Sequence, residues 1–561
     1  MGERDRRLIV RRLSEMLVRA RAKREAAGEK APGPGEGALP VAGPAGDAPA
    51  RDAVNPAVRV PELEGVPLAA SLDENVEVLH RVFRHNPGFV TREFLVAGET
   101  RAAVTFIEGL IDRNLVSKTV LKPLMQYDGS WPRKGSLLDT LRMAALTAAP
   151  VRTRQTLGDV ARDVLEGCAV VILDGEPRAL AVESTGFPTR SVEEPVSESV
   201  VRGPREGFTE SLAQNLTLVQ RRLKTPNLAV VNYFLGRETR THVSVLYLKG
   251  LANPEHVAEL DRRLSRIGRD IDGVLESSNI EEMIADQPLS PFPQAMNTER
   301  PDRVAAALLE GRIAILVENT PFALVVPFEF MALMQSAEDY YQNYWFGSAI
   351  RVLRYISLAI ALVGPAVYVA ITTFHQEMIP ERLLVQVVAA RQGIPFPAVI
   401  EMLLIDYAFE ILREAGIRLP RPVGQAVSIV GALVIGQAAI QAGLTSPLAV
   451  IIVALTGIAS FTLPAFSLAF SVRVIRFPMT ILGGILGLYG VIAGVLAIII
   501  HLAGLRTLGL PYLGGFTPLH VSDLDDSVVR YPWWAMRTRP HELAKRNPRR
   551  LRRGLKPRPE P

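Results

Sequence analysis

PVGQAVSIVGALVIGQAAIQAGLTSPLAVIIVALTGIASFTLPAFSLAFSV, residues 422–472, runs for 51 positions without an Asp, Glu, Lys or Arg. A helix needs about 20 mainly apolar residues to cross the roughly 30 Å hydrocarbon core of a bilayer. The stretch therefore has room for two crossings, and its middle reads as the turn between them. Gly443 ends one helix, Ser446 supplies an N-cap, and Pro447 opens the next. The chain is expected to be built into a membrane.

Two further runs flank this pair. Tyr355 to Phe374 is free of formal charge, and Phe477 to Leu505 is interrupted only by His501. The tetrad Arg473-Val474-Ile475-Arg476 reads as a polar stop between spans. The expected transmembrane domain is 350–505, all-α and polytopic, with spans at about 353–374, 422–442, 447–472 and 477–503. A helix over 397–416 is amphipathic. Ile400, Leu403, Leu404, Ala408, Ile411 and Leu412 share one side of it, and Asp406, Glu410, Arg413 and Glu414 share the other. Such a helix either lies in the interface or turns its polar side to protein or water. If it crosses, five spans put Arg351, Arg354, Arg413, Arg418, Arg421, Arg473 and Arg476 in cytoplasmic loops, as the positive-inside rule asks. The tail from Arg537 to Pro561, with ten basic and two acidic residues, is then left outside. Four spans reverse both placements. The loop arginines favour five.

Composition separates the rest of the chain from this region. The 561 residues carry 63 basic and 58 acidic side chains, and the first 345 read as soluble. A lone Cys168 supports neither a disulfide framework nor a four-ligand zinc site. The first thirty residues lack an uninterrupted apolar core, so no secretory leader is expected and the N-terminal half is placed in the cytoplasm. Residues 1–75 are a basic segment followed by an Ala/Gly/Pro-rich linker that includes Pro32-Gly33-Pro34-Gly35.

An internal repeat organises the soluble half. Leu165-Glu166-Gly167 followed by Ala169 to Leu173, Asp174-Gly175 and Ala179 to Val182 returns ungapped as Leu309-Glu310-Gly311, Ile313 to Val317, Glu318-Asn319 and Ala323 to Val326. Each copy reads as a β-hairpin. Val104 to Leu110 and Val245 to Leu251 form a second pair, each a strand that stops at glycine. The fold class is therefore α+β: tandem α/β subdomains over 76–195 and 200–345, then the helical membrane domain, then a C-terminal segment, 506–561, with a basic tail.

No enzyme chemistry is legible. There is no phosphate-loop motif, no His-Glu-x-x-His and no Gly-x-Ser-x-Gly. No cofactor, metal or nucleic-acid partner is expected. The helix 424–441 is the candidate working element, because Gln425, Ser428, Ala432 and Ile435 recur at spacings of three and four. A polar stripe does not face lipid. It lines water as a pore, or it serves close helix packing through small residues such as Gly431 and Gly436.

The run Gly424 to Ala439 resembles the membrane signature of the A subunit of GerA-family spore germination receptors. Ser290-Pro291-Phe292-Pro293-Gln294, Thr298-Glu299-Arg300-Pro301-Asp302, Glu338-Asp339-Tyr340-Tyr341, Thr372-Thr373-Phe374-His375, Arg202 to Ser211 and Ile417 to Pro422 also fit. The blocks run in family order from about Phe94 to Tyr531. The resemblance implies a protein of the spore inner membrane that acts with a transporter-like B subunit and a lipoprotein C subunit. It further implies assembly as a homo-oligomer, a pentamer, whose membrane part is a germinant-gated channel for monovalent cations. On that reading Gln425 and Ser428 line the wetter end of the pore, and Ile435 closes it by dewetting. Glu401, Asp406 and Glu410 then offer a cation-favouring ring at its mouth. Arg418 and Arg421 near the same mouth oppose this, and a structural ion-pair role is the alternative for all five. Two other functions remain beside the channel: a non-conducting scaffold that couples a germinant-binding subunit to downstream factors, and the related stage V sporulation channel protein.

Overall fold

The computed structural model describes residues 63–96, 98–127, 136–145, 151–186, 194–195, 197–418, 436–552 and 554–557. They form two compact units, one built from Val58–Phe187 with Lys224–Pro226 and the other from Pro188–Leu223 and Asn227–Pro561.

The first unit contains α1 (Leu72–Val82), β1 (Phe89–Val96), β2 (Thr100–Ile107), β3 (Val151–Arg154), α2 (Leu157–Leu165), β4 (Cys168–Leu173) and β5 (Ala179–Glu183). Its sheet is antiparallel in the order β1-β2-β4-β5-β3. Every residue of β4 is buried, because both faces are covered. Leu72, Leu79, Val160 and Val164 of α1 and α2 pack on one face, and Val116, Leu124 and Leu138 from one-turn helices pack on the other. A strand buried on both sides reads as a continuous apolar run, as Cys168-Ala-Val-Val-Ile-Leu173 does. Burial pushes the Cys168 thiol up to about 11, so it behaves as a small apolar core residue.

The second unit opens with the same plan: α3 (Leu212–Arg222), β6 (Leu228–Leu235), β7 (Thr241–Leu248), α4 (Pro254–Asp270), α5 (Ser277–Ile284), β8 (Met296–Thr298), α6 (Pro301–Leu309), β9 (Ile313–Val317) and β10 (Ala323–Val326). Strand order is β6-β7-β9-β10-β8. The hairpins read from Asp174-Gly175 and Glu318-Asn319 are both present, with Gly175 at φ 83° and Asn319 at φ 64°. These are the residue types that tolerate a left-handed turn. Helices α4 and α5 cover one face of this sheet. The other face shares a continuous core with the apolar helices that follow, through Leu218, Val304 and Leu316 to Ala361, Ala459, Leu468 and Leu502.

Those helices are α7 (Tyr344–Phe374), α8 (Glu381–Arg391), α9 (Ala398–Arg418), α10 (Pro447–Phe461) and α11 (Phe466–Gly504), with residues 436–441 also helical. Among the described residues, α7 and α11 are long and apolar enough to cross a membrane. The turn before α10 is as expected: Gly443 has φ 67°, and Ser446 Oγ accepts the Ala449 amide at 3.3 Å.

Helix α11 is a hairpin. Gly487, at φ 62° and ψ −146°, reverses the chain, and the arms 466–486 and 488–504 run antiparallel. Gly494 packs on Met479, Gly490 on Leu482, and Val491 shares a cluster with Met479. In a straight helix residues 479 and 494 would stand about 22 Å apart. His375 and Phe374, at the end of α7, lie against Gly487. The root of the hairpin returns to the second sheet: Ser471 Oγ donates to the Pro291 carbonyl, and His501 Nε2 is 2.8 Å from Ser290 Oγ.

Four expectations are corrected. The span expected over 353–374 starts at Tyr344, so Arg351 and Arg354 belong to a helix and not to a loop. The span 447–472 stops at Phe461 and the chain leaves the helix until Phe466, because Pro464 lacks an amide donor and disfavours helical backbone before it. The tetrad 473–476 is not a loop between helices. It lies inside α11, which its arginines can enter because they find buried partners. Finally, 477–503 is not one span but parts of two arms, split at a glycine that apolar content alone does not reveal.

Candidate functional site: buried charges among the apolar helices

Helix α9 is amphipathic in the inverted sense of a helix set among apolar neighbours. Its apolar residues Ile400, Leu404 and Ile411 are exposed, while Glu401, Met402, Asp406 and Arg413 are buried. Asp406 and Glu410 are one turn apart, and Arg473 and Arg476 of α11 face them with the same one-turn logic. Arg476 Nη2 lies 2.7 Å from Asp406 Oδ1 and 2.9 Å from Glu410 Oε1. Glu410 also meets Arg413 at 3.2 Å and Arg473 at 3.6 Å. Three guanidinium groups thus enclose two carboxylates. Aromatic rings cover the remaining arginine surface: Phe409 and Phe461 around Arg413, and Phe466 and Phe470 around Arg473. Burying ions costs several kcal/mol each unless they are paired, so the cluster dictates how α9 and α11 must meet.

Glu401 does different work. Its Oε1 accepts the Ser446 amide at 2.6 Å, Ser446 Oγ at 2.7 Å and Thr445 Oγ1 at 3.2 Å. Arg391 stands 3.5 Å from the other oxygen. A carboxylate is placed where the amide dipoles of α10 converge, which fixes the start of that helix.

A second group of buried charges lies where the second sheet meets the helices. Arg351 is fully buried, with Asp339 at 3.3 Å and Asp526 at 2.9 Å, and Arg354 pairs with the same Asp339 at 2.7 Å. Tyr340 donates to Asp526 at 2.7 Å. Burial holds the Asp526 carboxyl above its ordinary range despite Arg351 and Tyr340 beside it. Arg300, also buried, pairs with Asp302 at 2.8 Å and donates to the Pro204 carbonyl at 2.9 Å. Burial works against charge on Asp302, but hydrogen bonds from Arg300 and Tyr341 outweigh it and hold the carboxyl low. Ser290 to Gln294 forms a strap: besides Ser471 and His501, Tyr512 donates to the Pro293 carbonyl at 2.7 Å and Thr507 to the Gln294 carbonyl at 2.8 Å. One five-residue segment holds both arms of the hairpin and the chain beyond it.

The structure thus brings Asp406 and Glu410 together and sets Glu401 apart at the start of α10. Arg418 is exposed and pairs with Glu414, at 2.7 Å. Gln425, Ser428, Ala432, Ile435 and Arg421 lie outside the described residues. Sequence reasoning missed the partners of the carboxylates. The available signal was Arg473 and Arg476 three apart inside an otherwise apolar run, a pattern that fits a buried charge face as well as a loop.

A family profile described as Bacillus/Clostridium GerA spore germination protein matches residues 77–542. The chain belongs to that family. It is 44% identical over 483 residues to the uncharacterized membrane protein YfkQ of Bacillus subtilis strain 168, covering 86% of this chain and 93% of that one. It is 43% identical over 496 residues to spore germination protein KA of the same strain, covering 88% and 90%. Among solved structures, the crystal structure of the N-terminal domain of the A subunit of the Bacillus megaterium spore germinant receptor GerK3 matches at 31% identity and a TM-score of 0.37, over 47% of this chain and 97% of that one. In this GerA-family chain the blocks 290–294, 298–302 and 338–341 all fall at the junction between the second sheet and the helices, and 372–375 falls at the hairpin tip.

Proposed function

We propose that this chain is the A subunit of a nutrient germinant receptor in the spore inner membrane, an oligomer that opens a path for monovalent cations when germinant binds. The partners are a transporter-like B subunit and a lipoprotein C subunit, and germinant identity belongs to the former. Family membership supports the receptor role. The observation that carries the coupling role is the strap 290–294, which ties the second α/β subdomain to both arms of α11.

The hairpin also supports a multi-pass arrangement with the second α/β subdomain and the tail on one side. Helix α7 leaves the second sheet and ends beside Gly487, and the second arm of α11 returns to Ser290. The reversal supports a basic tail on the side of Arg351, Arg354 and Arg473, an arrangement in which tail and arginines agree under the positive-inside rule. That side is the cytoplasmic one.

The scaffold remains the second reading, favoured by one observation: Glu401, Asp406 and Glu410 each find a partner within a single chain, Glu401 at the start of α10 and the other two at Arg476. Spores carrying Ser428→Asp or Ile435→Ala distinguish the two. A conducting helix 424–441 predicts early loss of monovalent cations or germination without nutrient. Altered protein abundance alone, or a stable monomer by mass in detergent, defeats the channel and leaves the scaffold.

A further inference from the structure

We propose that His520, His541 and Glu542 form a binding site for a divalent transition-metal ion, Zn²⁺ by its donor set, which clips the C-terminal tail to the segment that precedes it. The three side chains offer two imidazole nitrogens and a carboxylate oxygen, all within 4.8 Å of one another. His520 Nε2 lies 3.9 Å from Glu542 Oε1, and His541 Nδ1 lies 3.7 Å from the same oxygen. A tetrahedral zinc ion with bonds of about 2.1 Å holds its donors about 3.4 Å apart. The two His–Glu spacings need to close by only a few tenths of an ångström, and rotation of the partly exposed imidazoles closes the remainder of the 4.8 Å set. Nitrogen donors select against Mg²⁺ and Ca²⁺, which take oxygen.

The surroundings orient the set. Lys545 Nζ occupies the other Glu542 oxygen at 2.8 Å, so Oε1 is the one turned to the imidazoles. The His541 amide donates to the Asp523 carboxylate at 3.1 Å, and the His520 amide donates to the Gly515 carbonyl at 2.9 Å. The two rings stack with centroids 4.7 Å apart. The backbone contacts hold the two histidine-bearing segments side by side. Three protein donors leave a fourth position for water or another ligand.

The location gives the site a purpose. His520 leads into the turn of 3₁₀ helix Val521–Asp526, whose Asp526 pairs with Arg351 and Tyr340. His541 and Glu542 sit in the tail, which returns to α6 through Arg539 to the Leu309 carbonyl at 2.9 Å and Arg550 to Glu310 at 2.8 Å. These tail contacts close one wall of a cavity of about 350 Å³ lined by Leu309, Tyr340, Trp533 and Leu551 among others. A bound ion cross-links the two segments, and thereby sets how firmly the tail stays over that cavity.

The test uses the full chain, purified in detergent without a polyhistidine tag, stripped with chelator and titrated with Zn²⁺. One ion per chain is expected, with millimolar Mg²⁺ unable to displace it. His520→Ala, His541→Ala and Glu542→Gln should each weaken binding at least about tenfold. Zn²⁺ should slow trypsin cleavage between Arg537 and Arg553 in the wild type and not in the variants. Melting of the metal-free variants at the wild-type temperature excludes unfolding as the cause. No Zn²⁺ uptake by the wild type, or equal uptake and equal protection in all variants, overturns the proposal.

Discussion

Arg476 and Asp406 meet at 2.7 Å with side chains only 1% and 2% exposed, at the centre of an ionic cluster set among apolar helices. Breaking one side of a buried pair leaves an uncompensated charge, at about 3–5 kcal/mol. Asp406→Leu or Arg476→Met alone should therefore lower the melting temperature of the detergent-solubilised protein sharply. The double variant should recover most of the loss, since Glu410 keeps Arg413 and Arg473. Single variants that melt like the wild type would show that the pair does not hold α9 to α11.

The hairpin predicts a cross-link. With Cys168→Ser as background, Met479→Cys and Gly494→Cys should form an intramolecular disulfide under mild oxidation, because these positions touch across the two arms. A continuous helix separates them by about 22 Å and forbids it. Gly487→Ala should destabilise the protein by about 1–3 kcal/mol, as its backbone is one that side chains avoid and an added Cβ would meet His375 at 2.8 Å.

Transmission through the strap can be separated from folding. Ser290→Ala removes a hydrogen bond to His501 that is exposed and worth about 1 kcal/mol. Protein level should hold, while the nutrient-triggered germination rate falls by about five-fold. A normal rate at normal abundance would mean that the strap is not a route from the second subdomain to α11.

One pH effect follows from His256, which is buried on α4 and whose imidazole burial holds below the ordinary value near 6.5. The folded state resists protonation at a pH where the unfolded chain accepts it. Stability from this group is complete above about pH 6.5, falls as pH drops below that value, and levels off beneath the folded-state value. Melting temperature between about pH 7.5 and 5.5 should decline less in His256→Gln than in the wild type. Identical slopes would remove His256 from the account.

What was legible in the sequence was what periodicity writes directly. The hairpins at Asp174-Gly175 and Glu318-Asn319, the turn at Gly443 to Pro447 and the two-sided helix 398–416 all depend on local pattern. The reversal at Gly487 was not legible, because glycine is common in apolar helices and the residues on either side are equally apolar. Arg473 and Arg476 misled for a related reason: whether an arginine lies in a loop or within a helix is decided by a partner, here Asp406 and Glu410, some 63 to 70 positions away. For the stripe Gln425 to Ile435, sequence remains the source of the reading.

The reversal at Gly487 bears on how the protein is made. With the helices set in a bilayer as proposed, the chain beyond Leu505 folds back onto the subdomain that was synthesised before α7, through Glu310 and Arg550, and onto the first turns of α7 itself, through Arg351 and Asp526. The insertion machinery then never moves a folded domain or the arginine-rich tail across the lipid. Only the short segments around α8, Gly443 and Gly487 have to pass.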